Sequence, residues 1–130
     1  MPKVKDPKRR SNCPLACTLE LFGDKWILLI VRDLIYHDTR TFKELEQSWE
    51  HIPVSTLADR LKKLESMDLI NKKPYQNRPI RYQYQLTDKG LTLIPILKAM
   101  TTWGQEHIES TITVLKIENG KEVFVPPETV

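Results

Sequence analysis

The chain has 130 residues, the length of one ordinary domain, and 20 Lys and Arg against 17 Asp and Glu leave a net charge of +3. At this length a chain buries roughly two thirds of the surface its unfolded form exposes, so neither a disulfide framework nor a structural metal is needed to hold it together. No apolar run approaches the roughly 18 residues of a bilayer span, and the start Met1-Pro2-Lys3-Val4-Lys5 lacks the apolar stretch of a signal peptide, so a soluble, cytoplasmic protein with no membrane partner is expected.

Residues 1 to 11 read as a basic arm, in which Lys3, Lys5, Lys8, Arg9 and Arg10 outweigh Asp6 and almost nothing is apolar, so mobility is expected. The domain proper is placed at residues 12 to 110. It opens on Cys13 and Pro14, with Leu15, Leu19 and Phe22 at helical spacing and Gly23 suited to a left-handed position past the helix end. Asp24 then caps a second helix from Lys25 to Tyr36, apolar nearly all the way round and therefore central. Thr41 and Glu44 form a capping box that starts a third helix, ending near Trp49.

From Val54 to Met67, Leu57, Leu61 and Leu64 make one apolar stripe, which turns Ser55, Thr56, Asp59, Lys62 and Lys63 outward and sets Arg60 on the flank. Asp68 takes the turn. Leu69 to Tyr75 and Arg81 to Leu86 read as two strands joined by Gln76-Asn77-Arg78-Pro79, and Tyr82, Tyr84 and Leu86 alternate toward the core. A last helix runs from Asp88 to about Ser110, capped by Thr87 and kinked at Pro95, with Leu93, Leu97, Met100 and Trp103 along one side. In the tail, 111 to 130, Asn119-Gly120 between apolar runs signals a hairpin, the alternative being a continued helix frayed at Pro126-Pro127.

Three helices, a basic helix entered through a turn and a hairpin with a basic tip give the element order of a winged helix-turn-helix, mainly α with a small β wing (α+β). A helix of this diameter fits the major groove, where outward side chains reach base edges. Cys13-Pro14, Gly23-Asp24-Lys25-Trp26, Phe42-Lys43-Glu44-Leu45, Leu57-Ala58-Asp59-Arg60-Leu61-Lys62-Lys63-Leu64-Glu65, Tyr84-Gln85-Leu86-Thr87-Asp88-Lys89-Gly90 and Trp103-Gly104 together resemble the HxlR-type family of bacterial winged-helix regulators, relatives of the MarR-like repressors. The resemblance runs from about Cys13 to His107. It implies a transcriptional regulator, read as a repressor, that binds double-stranded operator DNA as a homodimer. Dimer contacts are then expected from Leu15 and Leu19 on the first helix and from Leu93, Leu97, Met100 and Trp103 on the last. Pro53 and Asp68 depart from the family pattern, which often has serine and glycine there.

Each candidate contact carries a second reading. Lys62 and Lys63 suit phosphates, or form a solvated face; Ser55 and Thr56 read base edges, or cap their helix. Asp59 accepts from a cytosine amino group, or pairs with Arg60 or Lys63, and Arg60 on the flank is itself a candidate DNA contact. Arg78 suits a phosphate or the minor groove, and Arg81 a phosphate, the alternative for the former being a plain loop charge. Cys13 stands at a helix start, where the dipole and Arg9-Arg10 favour thiolate. Some members of the resembling family sense oxidants or electrophiles with a cysteine at this position, whereas a free cysteine can equally be inert. Cys17, one turn on, is a second redox candidate, and a bond across the dimer or to a small thiol suits these cysteines better than one within the helix. His37, His51 and His107 stand apart from any ligand pattern, and with no nucleophile and base pair, metal set or cofactor loop in view, neither metal, cofactor nor enzymatic activity is expected. The rival to a DNA-binding regulator is a winged helix that docks an acidic protein partner.

Overall fold

The computed structural model describes residues 1–5, 10–111 and 115–124. Asp6, Lys8 and Arg9 of the arm, Ile112 to Val114, and Pro126-Pro127 lie outside the described residues. The arm reading meets one structural fact: Val4 is partly buried against the core.

Helix α1, Pro14–Phe22, starts on a proline whose missing N–H costs nothing in a first turn. It closes at Gly23, whose N–H donates to the Leu19 carbonyl at 2.7 Å. The left-handed conformation expected of Gly23 is not adopted, since φ is −75°. Close approach explains the glycine instead, because a Cβ there would sit 2.3 Å from the Leu19 carbonyl oxygen. Helix α2, Ile27–Tyr36, begins later than Lys25 because Asp24 Oδ1 accepts from the N–H groups of Trp26 at 3.0 Å and Ile27 at 2.9 Å. Ile27, Ile30, Val31 and Leu34 form its buried face. Burial is not all round: Leu28, Leu29 and Ile35 are only partly covered.

A two-residue strand β1, Arg40–Thr41, precedes α3, Phe42–Glu46. The capping box is present, with Glu44 N–H donating to Thr41 Oγ1 at 3.2 Å and Thr41 N–H to Glu44 Oε1 at 2.9 Å. The helix stops at Glu46, short of Trp49. Helix α4, Val54–Ser66, buries Leu57, Leu61 and Leu64. Asp68 then turns the chain at φ 59°, a left-handed angle that Asp tolerates better than most residues.

Strands β2, Ile70–Asn77, and β3, Ile80–Leu86, are longer than expected and leave only Arg78-Pro79 as the turn. They pair antiparallel with Lys72 opposite Tyr84, and β1 joins the other edge of β3, giving the order β1-β3-β2. The expected inward alternation fails toward the tip, where the hairpin outruns the core: Leu86 and Tyr84 are partly covered but Tyr82 is exposed.

The single long last helix is in fact two. Thr87 Oγ1 caps α5, Asp88–Leu91, by accepting from Gly90 N–H at 3.0 Å, and α6, Ile94–His107, follows. Pro95 therefore occupies a first turn, where no hydrogen bond is lost, and the bend falls before it rather than at it. Leu93 and Leu97 enter the same core as α2 and α4. Strands β4, Leu115–Glu118, and β5, Lys121–Phe124, pair antiparallel around Asn119 and Gly120, both at positive φ.

Candidate nucleic-acid interface

Leu45 on α3, Ile52 in the turn and Leu57 on α4 are buried, and together they hold α3 against α4 as a helix-turn-helix unit. A polar brace fixes the turn from behind. Arg32 of α2 donates to both Glu50 oxygens, to Asp33 Oδ1 and to Ser48 Oγ at 2.7–3.1 Å, and its guanidinium lies 4.6 Å from the Trp49 ring centroid. Hydrogen bonds from Arg32 outweigh burial and hold the Glu50 carboxyl below its ordinary 4.5, whereas burial pushes Asp33 up against the pull of the same arginine.

The outward residues of α4 divide into two stripes. Ser55, Asp59 and Lys62, at i, i+4 and i+7, are exposed. Thr56, Arg60 and Lys63 follow the same spacing one residue on and are partly buried. Arg60 Nε pairs with Asp24 Oδ2 and its Nη1 with Asp59 Oδ2, so Asp59 adopts the ion-pair geometry with Arg60. Lys63 Nζ donates to the Glu20 carbonyl of α1 at 3.3 Å, which turns it away from the open face expected for it. Neither Ser55 nor Thr56 caps α4, whose N-cap is Pro53 with no side-chain hydrogen bond.

On the wing, Lys72, Lys73, Arg78 and Arg81 are all exposed, and Lys72 Nζ lies 4.8 Å from the Tyr82 ring centroid. Tyr75 and Ile80 add exposed apolar surface near the tip.

Cys13 is exposed at the N-cap of α1, and Cys17 is partly buried with its Sγ donating to the Ser11 carbonyl at 3.4 Å. Both are free thiols. Of the six residues expected at a dimer contact, Leu15, Leu19, Met100 and Trp103 are exposed at 51–67%. Leu93 and Leu97 are only 6% exposed and lie in the protomer's own core. Met100, which by spacing also suits the core, stands outside it. Among the described residues no group of His, Cys, Asp and Glu could hold a metal, and no helix is long and apolar enough to cross a membrane.

Two residues without an assigned role before the structure matter here, Asp24 beyond its cap and Arg32. The available signal for Arg32 was a charged pair, Arg32-Asp33, inside an otherwise apolar helix.

The profile of the HxlR-like helix-turn-helix family matches residues 21–112. The chain belongs to that family. An HTH-type transcriptional regulator of Halalkalibacterium halodurans is 38% identical to this HxlR-like chain over 100 residues, covering 77% of the chain and 88% of the relative. A MarR-family protein from Porphyromonas gingivalis W83 superposes with a TM-score of 0.67 at 32% identity, covering 82% of this chain and 100% of that one. The transcriptional regulator YodB from B. subtilis, in its reduced form, gives a TM-score of 0.62 at 27% identity over 78% of this chain and 100% of its own. YodB is also solved diamide-treated and quinone-bound. The fold is accordingly α+β, a winged helix-turn-helix.

Proposed function

We propose that this HxlR-like protein is a DNA-binding transcriptional regulator that recognises double-stranded operator DNA as a homodimer and acts as a repressor. The observation that carries the reading is the exposed stripe Ser55, Asp59 and Lys62 on a helix braced from behind by α2 and α3, beside a wing whose cations are all in solvent. A groove-filling helix needs short polar groups at base edges and cations at phosphates, and these three residues with Lys72, Lys73, Arg78 and Arg81 supply both. Homodimerisation through α1 and α6 is supported by the exposed apolar side chains Leu15, Leu19, Met100 and Trp103.

Responsiveness to oxidants or electrophiles through Cys13 is part of the reading. The exposed thiol on α1 supports it, as does the likeness to YodB, a protein solved in reduced, diamide-treated and quinone-bound forms. Cys17, with its sulfur turned to the Ser11 carbonyl, is the secondary site.

Selection from a random duplex pool followed by anisotropy titration tests the function. A regulator enriches a two-fold-related sequence and binds random duplex more weakly, with affinity falling steeply as salt rises. Absence of any salt-dependent duplex binding would count for a protein-docking winged helix instead.

A further inference from the structure

The geometry points to Asp24 as a positioning residue for operator binding: through Arg60 it fixes where the recognition helix α4 stands against the α1–α2 corner. This rests on the DNA-binding reading above and names the part of the chain that sets it.

Asp24 is engaged at both oxygens. Oδ1 receives the N–H groups of Trp26 and Ile27 and so starts α2, while Oδ2 receives the Arg60 guanidinium from the middle of α4. Burial works against this charge, yet the Ile27 N–H, Arg60 and the Trp26 N–H together hold the carboxyl below its ordinary 3.8. Three residues along α4, Lys63 Nζ reaches the Glu20 carbonyl in the last turn of α1. Residues at i and i+3 share a helix face, so one side of α4 is tied to the end of α1 and to the start of α2. Arg60 and Lys63 are thereby drawn off the DNA-facing stripe and onto the scaffold.

The arrangement has a mechanical consequence. Helix α1 follows Cys13 and carries the exposed Leu15 and Leu19; none of its residues is fully buried, and only Leu21 and Phe22 at its end pack against the core. A displacement of α1 reaches α4 through the Glu20 carbonyl and through Asp24 at the corner, beside the apolar contact that Leu21 and Phe22 make with the core. Base reading depends on the pose of α4 to within an ångström or so, whereas phosphate attraction does not. Loss of the tie therefore weakens sequence-specific binding and leaves non-specific binding alone.

Asp24→Asn separates the two duties of the carboxylate, since an Asn oxygen can accept from the Trp26 and Ile27 N–H groups as Asp24 Oδ1 does but offers Arg60 no charge. Asp24→Asn, Arg60→Gln and the double variant are titrated against the duplex enriched by the wild type and against random duplex over a salt series. Each single variant is expected to lose about tenfold on the enriched duplex, with the double variant no worse than either. Random-duplex affinity and its salt slope stay at the wild-type values, which a general loosening of the fold would not allow. Arg60→Gln leaves the Asp24 bonds to the Trp26 and Ile27 N–H groups in place and carries the test alone if Asp24→Asn fails to fold. Wild-type affinity in the singles, additive losses in the double, or a salt slope reduced by about one in Arg60→Gln alone would overturn the positioning role, the last by making Arg60 a phosphate contact. A wild type that enriches no sequence overturns the operator reading itself, a result that none of those three outcomes resembles.

Discussion

Arg32 and Glu50, 18 residues apart, meet through two hydrogen bonds, Nη1 to Oε2 at 2.8 Å and Nη2 to Oε1 at 2.7 Å. The paired geometry fastens the turn before α4 to α2, and the arginine side chain is only 12% exposed. Its acid sensitivity follows by sign. Glu50, Asp24 and Glu44 have carboxyls held below their ordinary values, so their contribution is complete above the unfolded pKa and is lost as pH falls through the folded one. Asp33, pushed up by burial, acts in the opposite sense and gains stability on protonation. The thermal midpoint should therefore drop as pH is taken below about 4.5, with Glu50→Gln less stable near neutrality and flatter on the acid side. A Glu50→Gln acid limb as steep as that of the wild type would show that the brace does not set the response.

Lys62 and Lys63 are neighbours in sequence with different surroundings. Lys62 is exposed beside Ser55 and Asp59, whereas Lys63 is held by the Glu20 carbonyl. Lys62→Ala should weaken binding to all duplexes alike and lower the salt slope by about one, while Lys63→Ala leaves that slope nearly unchanged. Equal slopes for the two variants would put both ammonium groups on phosphates.

On α6 the contrast is between core and surface. Leu97→Ala removes a buried side chain and should cost about 2–5 kcal/mol of folding stability. Trp103→Ala and Met100→Ala should leave urea unfolding of the protomer nearly unchanged and raise the dimer dissociation constant, followed by sedimentation over a dilution series. A Trp103→Ala protein that stays dimeric at every dilution where the wild type does would move the interface elsewhere.

Diamide should lower the operator affinity of the wild type, leave Cys13→Ser untouched and affect Cys17→Ser to an intermediate degree. In the proposed homodimer, a modified sulfur at the start of α1 would shift the spacing of two recognition helices that must match half-sites about 34 Å apart. Oxidised and reduced wild type of equal affinity, with modification of Cys13 verified by mass, would make that cysteine structural.

The elements that sequence reads well here are those whose signal is local. Leu57, Leu61 and Leu64 recur at helical spacing and the Thr41–Glu44 box names its own start, so α3 and α4 begin where expected. Strand β1 escapes because two residues are too few to alternate, and it exists only through its pairing with Gln83 and Tyr84. Pro95 marks a discontinuity without saying on which side the chain bends, and helical spacing alone does not tell that Leu93 and Leu97 sit in the core while Met100 and Trp103 are exposed. At the candidate interface, spacing places Arg60 on a flank of α4. Only the fold brings Asp24, 36 residues earlier, to meet it.

The two halves of α6 answer to different constraints. Its first turns complete the protomer's interior with Leu97, while Met100 and Trp103, about one and two turns further on, are exposed. Substitutions at Met100 and Trp103 then carry little unfolding penalty. Where α6 pairs two copies, a duplicated gene could change which chain it associates with, and hence the spacing of sites it reads, while its DNA-reading helix and its hydrophobic interior stay as they are.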